Sequence, residues 1–574
     1  MAFAVTKRTS LPAVLPTTVA LRGNMPRTET VVATALSILL GVLVLVPMLA
    51  VAVGAVQDGE GFSLRALTNV LTSTRVIGNT LFVGAAATGI AVLIGGGLAL
   101  ILVRINTPGR GLLEQLVVLP LYVTPLLTAI AWSWLGSPKG GLANLIGREV
   151  FGTTGSLVNL HSPEGVVFVA ALAYTPLPFL LIAGALRAMD PSLEDSARVH
   201  GASPRSAFAR VTLPLVLPAA LGSAVLVFVQ VIGLFSVPAV LGMPSGFYVA
   251  GTEIYRLLNN YPPRIGQAAA WGFLLLAVTA ALVWLQALVL DRRSFVTVTG
   301  KAFRPRIVSL GASRYILAGA AWVYVGLAAL LPVLTLIWAA LINFVTVDPK
   351  LMAFDLRHFR YVLFTYPKTY LAAQNSLILG AGAATVACII GLGVAWVIVR
   401  TRWRMRGFLD QVSMMPLAIP SMVLALGLLW TYVGVKLLPI YGTLFILLIS
   451  HVTHYLPFSV RAISGALRQL HPELEDAART SGAGLFGTLR FIVLPLTRPT
   501  MIGAWTLIFI LSLQEVSSSI LLYTSRTTVL SVAVFDLWEA GNVNALAALS
   551  VMQLGLTFLV LFFVMRARQR ELAA

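Results

Sequence analysis

Twelve apolar runs, each long enough to cross about 30 Å of hydrocarbon as a helix, recur along the chain. They fall at roughly 31–54, 77–103, 112–136, 165–186, 213–242, 268–290, 315–344, 372–399, 412–435, 438–460, 497–523 and 544–565. This pattern predicts an all-α polytopic membrane protein with about 12 transmembrane helices. Composition agrees: 58% of the 574 residues are apolar and only 11% charged, with a mean hydropathy of +0.90. A soluble domain of this size cannot bury so much apolar surface.

The formal net charge is +19, and its placement is informative. Basic residues cluster at Lys7, Arg8, Arg22 and Arg27, at Arg104 and Arg110, and between Arg187 and Arg210. They recur between Arg292 and Arg306, Arg400 and Arg406, Arg461 and Arg498, and Arg566 and Arg570. These are alternate ends of the spans, and the positive-inside bias then places both termini in the cytoplasm. A nucleic-acid partner is not expected, because the charges are dispersed among short loops rather than gathered on one face. Residues 1–30 read as a cytoplasmic tail before a retained first span, whose apolar run is too long for a signal h-region. The single Cys388 lies in an apolar run, which excludes disulfides within the chain and suits a buried, inert thiol.

The chain is also written twice. Asn79-Thr80-Leu81 aligns with Asn375-Ser376-Leu377 at an offset of 296 (375 − 79), which also maps Arg104 on Arg400, Gly111 on Gly407 and Pro120 on Pro416. Further along, Arg187 and Arg468, Pro191 and Pro472, Gly201 and Gly482, and Pro214 and Pro495 share an offset of 281. The first copy thus carries 15 extra residues (296 − 281), most simply in the outer segment before the fourth span. With about six spans per half, an even number, the second half enters the membrane in the same orientation as the first, giving two parallel repeats. The organisation expected is a tail at 1–30, a first half at 31–291, a cytoplasmic linker at 292–313, a second half at 314–567 and a tail at 568–574.

Two polar segments interrupt this apolar chain at matching places, LEDSARVHGASPRSAFARVTLP at 193–214 and LEDAARTSGAGLFGTLRFIVLP at 474–495. Asp190-Pro191 reads as an N-cap followed by proline in the first turn, with Glu194 and Asp195 favouring the positive end of the helix dipole. Gly201 is placed to end that helix in a left-handed conformation, and Ser203-Pro204 offers a second start. The second copy keeps Pro472, Glu475, Asp476, Gly482, Leu494 and Pro495 but has Gly484-Leu485 at the second cap. Each copy predicts a helix-turn-helix on the cytoplasmic surface, whose small residues Ser196/Ala197 and Ala477/Ala478 permit close approach of another surface. The plainer alternative is an interfacial helix that only anchors the domain. Duplication of acid, small residues, glycine and Leu-Pro at equal spacing asks instead for two equivalent partners.

Asp195-Ser196-Ala197-x3-Gly201-x9-Val211-x-Leu213-Pro214 and Asp476-Ala477-Ala478-x3-Gly482-x9-Ile492-x-Leu494-Pro495 resemble the E-A-A-x3-G-x9-I-x-L-P loop of permease subunits of bacterial ATP-binding-cassette importers. Aspartate stands at the glutamate position in both copies, with Glu194 and Glu475 immediately before it, and the first copy has Ser196 and Val211 for alanine and isoleucine. The resemblance implies a type I importer permease in the bacterial inner membrane. Its loops at 190–212 and 471–493 would be coupling helices, each seated in one copy of a cytoplasmic ATPase. It further implies a periplasmic substrate-binding protein, with ATP and magnesium held by the ATPase and no cofactor on this chain.

A fused double permease resembles the ferric-iron branch of that family. RINTPGRGLLEQLVVLPLYVTP, RMRGFLDQVSMMPLAIPSMVLALGLL and SLQEVSSSILLYTSRTTVLSVAVFDLWEAGN are similar to it, the last with Gln514-Glu515-Val516 at K-E-L positions. Thiamine and phosphonate or polyamine permeases are close relatives and stand as alternatives.

Candidate chemistry is sparse. The sequence has no GxxxxGK[ST] loop, HExxH, cysteine cluster or GxSxG elbow, so neither ATPase nor hydrolase activity is expected of it. His451 and His454 share one helix face, either as hydrogen-bonded packing near Tyr455 or as a transient ferric contact; the first half has Ala170 and Ala173 there. Glu515 is the best candidate for a buried acid, beside Gln514, either lining the pathway or reaching water at the span's outer end. A secondary transporter with parallel repeats would need paired ionisable groups near the midplane, and these few residues are the whole supply.

Overall fold

The computed structural model describes residues 27–58, 61–153, 155–291, 307–343, 354–433 and 440–573. Most of the expected tail at 1–30 and of the linker at 292–313 lies outside them. Nine helices among the described residues are long and apolar enough to cross a membrane, and three further bent pairs bring the number to twelve if each counts as one span.

In the first half these are α1 (Thr28–Ala55), α2 (Thr74–Arg104), the pair α3 (Arg110–Tyr122) and α4 (Pro125–Gly136), and the pair α5 (Pro163–Tyr174) and α6 (Pro176–Ala188). A short helix α7 (Ser192–Val199) precedes α8 (Pro204–Ile232), α9 (Ala250–Asn259) and α10 (Ile265–Asp291). The second half repeats the order: α11 (Ser313–Leu341), α12 (Thr369–Arg400), the pair α13 (Arg406–Ala418) and α14 (Ser421–Val433), and the unbroken α15 (Leu444–Gln469). Then come α16 (Glu473–Thr480), α17 (Leu485–Gln514), α18 (Leu530–Glu539) and α19 (Val543–Ala573). Among the described residues the sheet structure is one two-residue antiparallel ribbon, Gln57–Asp58 with Gly61–Phe62.

Two of the twelve runs are not the straight spans that hydropathy suggests. The run at 112–136 bends by 94° and that at 412–435 by 108°. Proline is the cause: Pro120, Pro125, Pro416 and Pro420 lack amide hydrogens, and Pro125 and Pro420 hold the residue before them out of helical geometry. Thr124 and Ile419 are accordingly extended. The run at 165–186 bends by 40° at Pro176. Its counterpart α15 stays continuous through the equivalent Pro457. The runs at 213–242 and 497–523 end early, at Ile232 and Gln514, and begin earlier, continuous with Pro204 and Leu485. Both include a π-helical turn at repeat-equivalent places, Phe208–Thr212 and Leu489–Val493, just ahead of Pro214 and Pro495.

Each half is built on three mutually packed helices, α2, α6 and α8 in one and α12, α15 and α17 in the other. Small residues set the approach. A Cβ on Gly95 would lie 2.8 Å from both the Thr175 carbonyl oxygen and the Phe179 nitrogen, and one on the repeat-equivalent Gly391 would lie 2.2 Å from Ser459 Oγ. Between the halves the first helices are exchanged: the end of α1 packs on α14, and the end of α11 packs on α4. At the first contact a Cβ on Gly427 would meet the Pro47 carbonyl oxygen at 2.3 Å. At the second, Trp134 and Trp338 meet edge to face at 6.3 Å, and nearby Tyr324 donates to the Leu172 carbonyl at 3.2 Å.

Gly95→Ala is expected to lower the stability of the protein by about 1–3 kcal/mol, because the backbone opposite has nowhere to go. Gly89→Ala on the same helix, with nothing within 4 Å, should be neutral. Thermal melting in detergent would compare them.

Candidate functional site

The two repeated polar segments fold as anticipated, down to their caps. Asp190 accepts a hydrogen bond from the Ser192 amide at 2.9 Å, opening α7, and Ser203 accepts one from the Ser206 amide at 3.2 Å. Gly201 and Gly482 take φ of 85° and 87°. Behind them the Ala202 amide donates to the Ala197 carbonyl and the Ala483 amide to the Ala478 carbonyl, each at 3.0 Å. That is the six-to-one hydrogen bond of a Schellman turn, which a residue with a Cβ enters only under strain. The two turns are therefore equivalent stops at matching places in the repeats.

The acids divide by direction. Asp195 and Asp476 are exposed, as are Ser196 and Ala477, while Ala197 and Ala478 are half-buried. Leu213 and Leu494 are exposed, Pro495 is exposed and Pro214 half-buried. Glu194 and Glu475, which lie in the loops expected to seat in the ATPase, are instead buried, at 7% and 6% exposure. One residue along a helix turns the side chain by about 100°, so the glutamate looks into the membrane domain while its aspartate neighbour looks out.

What each glutamate meets is an arginine at the end of a long span. Arg104 of α2 donates to Glu194 at 2.5 Å, and Arg400 of α12 donates to Glu475 at 2.7 Å. Thr212 also donates to Glu194, and the Trp396 indole donates to Glu475 at 3.2 Å. Arg400 further donates to the Leu467 and Leu470 carbonyls at 2.9 and 2.8 Å, satisfying the end of α15. Arg104 and Arg400 were visible in the sequence as a repeat-equivalent pair, and their shared offset is the signal that could have marked them as functional. The same contacts fix sidedness: α2 ends at the face that carries α7, and the Val308 amide donates to the Arg104 carbonyl at 2.7 Å, so the second half begins at that face too.

The pathway candidates gather between α15 and the end of α17. Glu515 lies one residue past α17 in extended backbone. Its carboxylate accepts from Ser421 at 3.0 Å, from the Ser518 amide at 3.0 Å and from the Tyr455 hydroxyl at 2.7 Å. Both nitrogens of His451 have serine partners, Ser512 at 2.7 Å and Ser519 at 3.3 Å. Buried His454 Nδ1 and Gln514 Nε2 have no hydrogen-bond partner among the described residues. No group of three or more His, Cys, Asp or Glu among the described residues could hold a metal ion. Cys388 is buried, as its apolar setting suggested.

The halves also meet directly at further contacts. A Cβ on Gly233 would lie 2.3 Å from Pro420 Cβ. Phe235 packs on Phe535 of the other half at 5.3 Å, and Tyr255 donates to Glu539 across the same junction at 2.9 Å.

Removing one partner of a buried ion pair leaves a charge without compensation, which costs about 3–5 kcal/mol. Arg104→Ala and Arg400→Ala are each expected to destabilise the protein on that scale. A double-mutant cycle with Glu194→Ala or Glu475→Ala should be strongly non-additive; additive losses would show the pairs to be independent side chains.

Comparison with known proteins places this geometry. The family described as the binding-protein-dependent transport system inner membrane component matches twice, at residues 87–295 and 387–573. The ferric transport system permease protein of Actinobacillus pleuropneumoniae is 25% identical over 528 residues, 90% of this chain and 75% of that one. An Fe(3+)-transport system permease protein of Haemophilus influenzae is 24% identical over 515 residues, 89% of this chain and 93% of that one. Among solved structures, a bacterial alginate transporter in complex with an alginate-bound periplasmic protein aligns with 45% of this chain and 93% of its own, at 18% identity and a TM-score of 0.36. The chain thus belongs to the binding-protein-dependent transport system inner membrane component family, and it carries the family domain twice in one polypeptide.

Proposed function

We propose that this chain, with two permease halves in one polypeptide, is the permease of an ATP-driven importer for ferric iron, with α7 and α16 as the helices through which two ATPase subunits act on it. The observation that carries the reading is the matched pair of surface helices, each stopped by a left-handed glycine and each pinned by a buried ion pair to the end of a long span. A helix that only anchored the domain would not need a rigid internal tether, whereas a lever does. The absence of a nucleotide-binding loop from the sequence fits a division of labour in which ATP and magnesium are held by a separate subunit.

Exposed Leu193, Ser196 and Asp195, with Leu474, Ala477 and Asp476, form the surfaces offered to the two ATPases. Closure of those subunits moves the surface helices, and the Arg104–Glu194 and Arg400–Glu475 pairs pass the displacement to α2 and α12. Coupling of this kind is differential docking in two states rather than a signal of its own. A binding protein delivers substrate at the outer face, and both termini lie in the cytoplasm of a bacterial inner membrane. Iron is favoured as substrate by the names of relatives that match nearly the whole chain and by the fused arrangement.

Gly201→Pro or Gly482→Pro should leave the protein in the membrane yet abolish uptake, since proline cannot adopt the positive φ that ends either helix. Ala197→Cys and Ala478→Cys should each capture an ATPase subunit on crosslinking. Uptake of labelled ferric iron, compared with labelled thiamine and 2-aminoethylphosphonate, assigns the substrate. Failure of both cysteines to capture an ATPase would overturn the coupling role.

A further inference from the structure

A polar cleft opens at the end of the first half opposite the surface helix α7. From the α7 face α8 runs from Pro204 to Ile232, α10 returns from Ile265, and α2 runs from Thr74 back to Arg104. The short helix Arg65–Thr72 and α9 therefore lie at the far, outer end. The cleft is lined by residues of both and of the start of α10, and its volume is about 490 Å³. That is within the range of ligand sites, about 300–1,000 Å³.

α9 faces two ways. Glu253, Arg256, Leu257 and Asn260, spaced i, i+3, i+4 and i+7, line the cleft. Tyr255, off that stripe, meets Phe535 of the other half at 5.9 Å and donates to Glu539. Glu253 is buried and accepts from Arg256 Nε at 2.9 Å and Nη2 at 2.6 Å. With the Tyr248 ring 4.9 Å from its central carbon, the guanidinium is fixed, and its other N–H groups are unused among the described residues. Arg264 lines the same cleft, is exposed, and its side chain has no hydrogen bond or ion pair among the described residues. Two arginines thus stand against one glutamate, and the rest of the polar lining is neutral. A surplus positive charge with spare N–H donors is the pattern that receives a carboxylate.

The second half has no such site. Aligning α9 with α18 (530 − 250 = 280) and α10 with α19 (543 − 265 = 278) puts Ala533, Asp536, Ala540 and Ala545 at the places of Glu253, Arg256, Asn260 and Gln267. There Asp536 is already paired with Lys368 at 2.6 Å. The arginines of the cleft are therefore not a requirement of the repeated fold.

We propose that this cleft receives an acidic side chain, aspartate or glutamate, of the substrate-binding protein, with Arg264 as its charge partner and Arg256 as a fixed second donor. The inference rests on the importer reading above and deepens it by naming the docking point and its chemistry. Charge complementarity and the outer position select this occupant. A carboxylate carried by a protein brings the surface around it to bear on α9, whose other face fastens the halves through Tyr255. One site per chain matches one docked partner, in contrast to the two surface helices at the opposite face.

The test measures binding of the cognate substrate-binding protein to this permease with its ATPase, held in nanodiscs, at low and high salt. Arg264→Ala should weaken binding by about tenfold or more, the loss of one contact between charged groups. Arg264→Glu should weaken it further, and Arg264→Lys should keep part of the affinity. Added salt should weaken the parent more than Arg264→Ala. Because Arg264 is exposed, thermal melting of these variants should match the parent, which separates lost docking from a lost fold. Arg526 is exposed in the outer segment of the second half and does not line the cleft; Arg526→Ala should stay within about twofold of the parent. Changing the acids of the binding protein to arginine one at a time should find one position that restores binding to Arg264→Glu. Binding within about twofold of the parent in both Arg264→Ala and Arg264→Glu, or an equal loss in Arg526→Ala, would overturn the docking point and leave the importer reading intact. A loss in Arg264→Glu that no acid reversal restores would point to a free anion in the cleft and overturn it too. A parent that binds no substrate-binding protein would overturn the importer reading and the docking point with it.

Discussion

A buried arginine–glutamate pair at the end of a long span is the contact on which the rest of the molecule turns. A charge withdrawn from water is tolerable only when its partner is fixed and its remaining hydrogen-bonding capacity is used. Glu475 meets that condition through Arg400 and Trp396, and Glu194 through Arg104 and Thr212. Neither surface helix can therefore shift without carrying its span along or leaving two charges unpaired. The glycine turns add the second constraint: they stop the helix at a defined residue, so that its exposed edge is held at one height and angle.

Away from those pairs, a second junction joins the halves. Phe235, Phe535 and the Tyr255–Glu539 contact come from different halves, so the junction belongs to neither half alone. His451, His454, Gln514 and Glu515 have no polar counterpart in the first repeat, whereas the arginine–glutamate pairs and the glycine turns match between the repeats. Symmetry is thus kept at the two surface helices and abandoned at positions 451, 454, 514 and 515.

Much of this was legible in the chain. The two offsets exposed the duplication, and Asp190, Ser203, Gly201 and Gly482 announced their caps, because capping is a local matter of side-chain reach and backbone sign. Proline marked the breaks at 120–125 and 416–420, yet hydropathy ran straight across them, since proline and its neighbours are as apolar as the helices they interrupt. The direction of Glu194 could not be read, because two adjacent acids differ only in which way a helix turns them. Its partner Arg104 lies 90 residues away and Arg400 lies 75 from Glu475, distances set by helix crossings rather than by sequence. The exchange of α1 and α11 was equally hidden, for in lipid one apolar helix surface suits many neighbours and only fine shape selects among them.

That exchange has a consequence for biogenesis. Pro47 and Gly54 of α1 complete their packing against Gly427 and Trp430, which the ribosome delivers only with the second repeat. The first helix must therefore be inserted before its groove exists and wait, its apolar flank wetted by lipid, until the other repeat arrives. Maturation is then the fastening of two reciprocal clasps, and neither repeat owns a finished surface until both have been threaded into the bilayer.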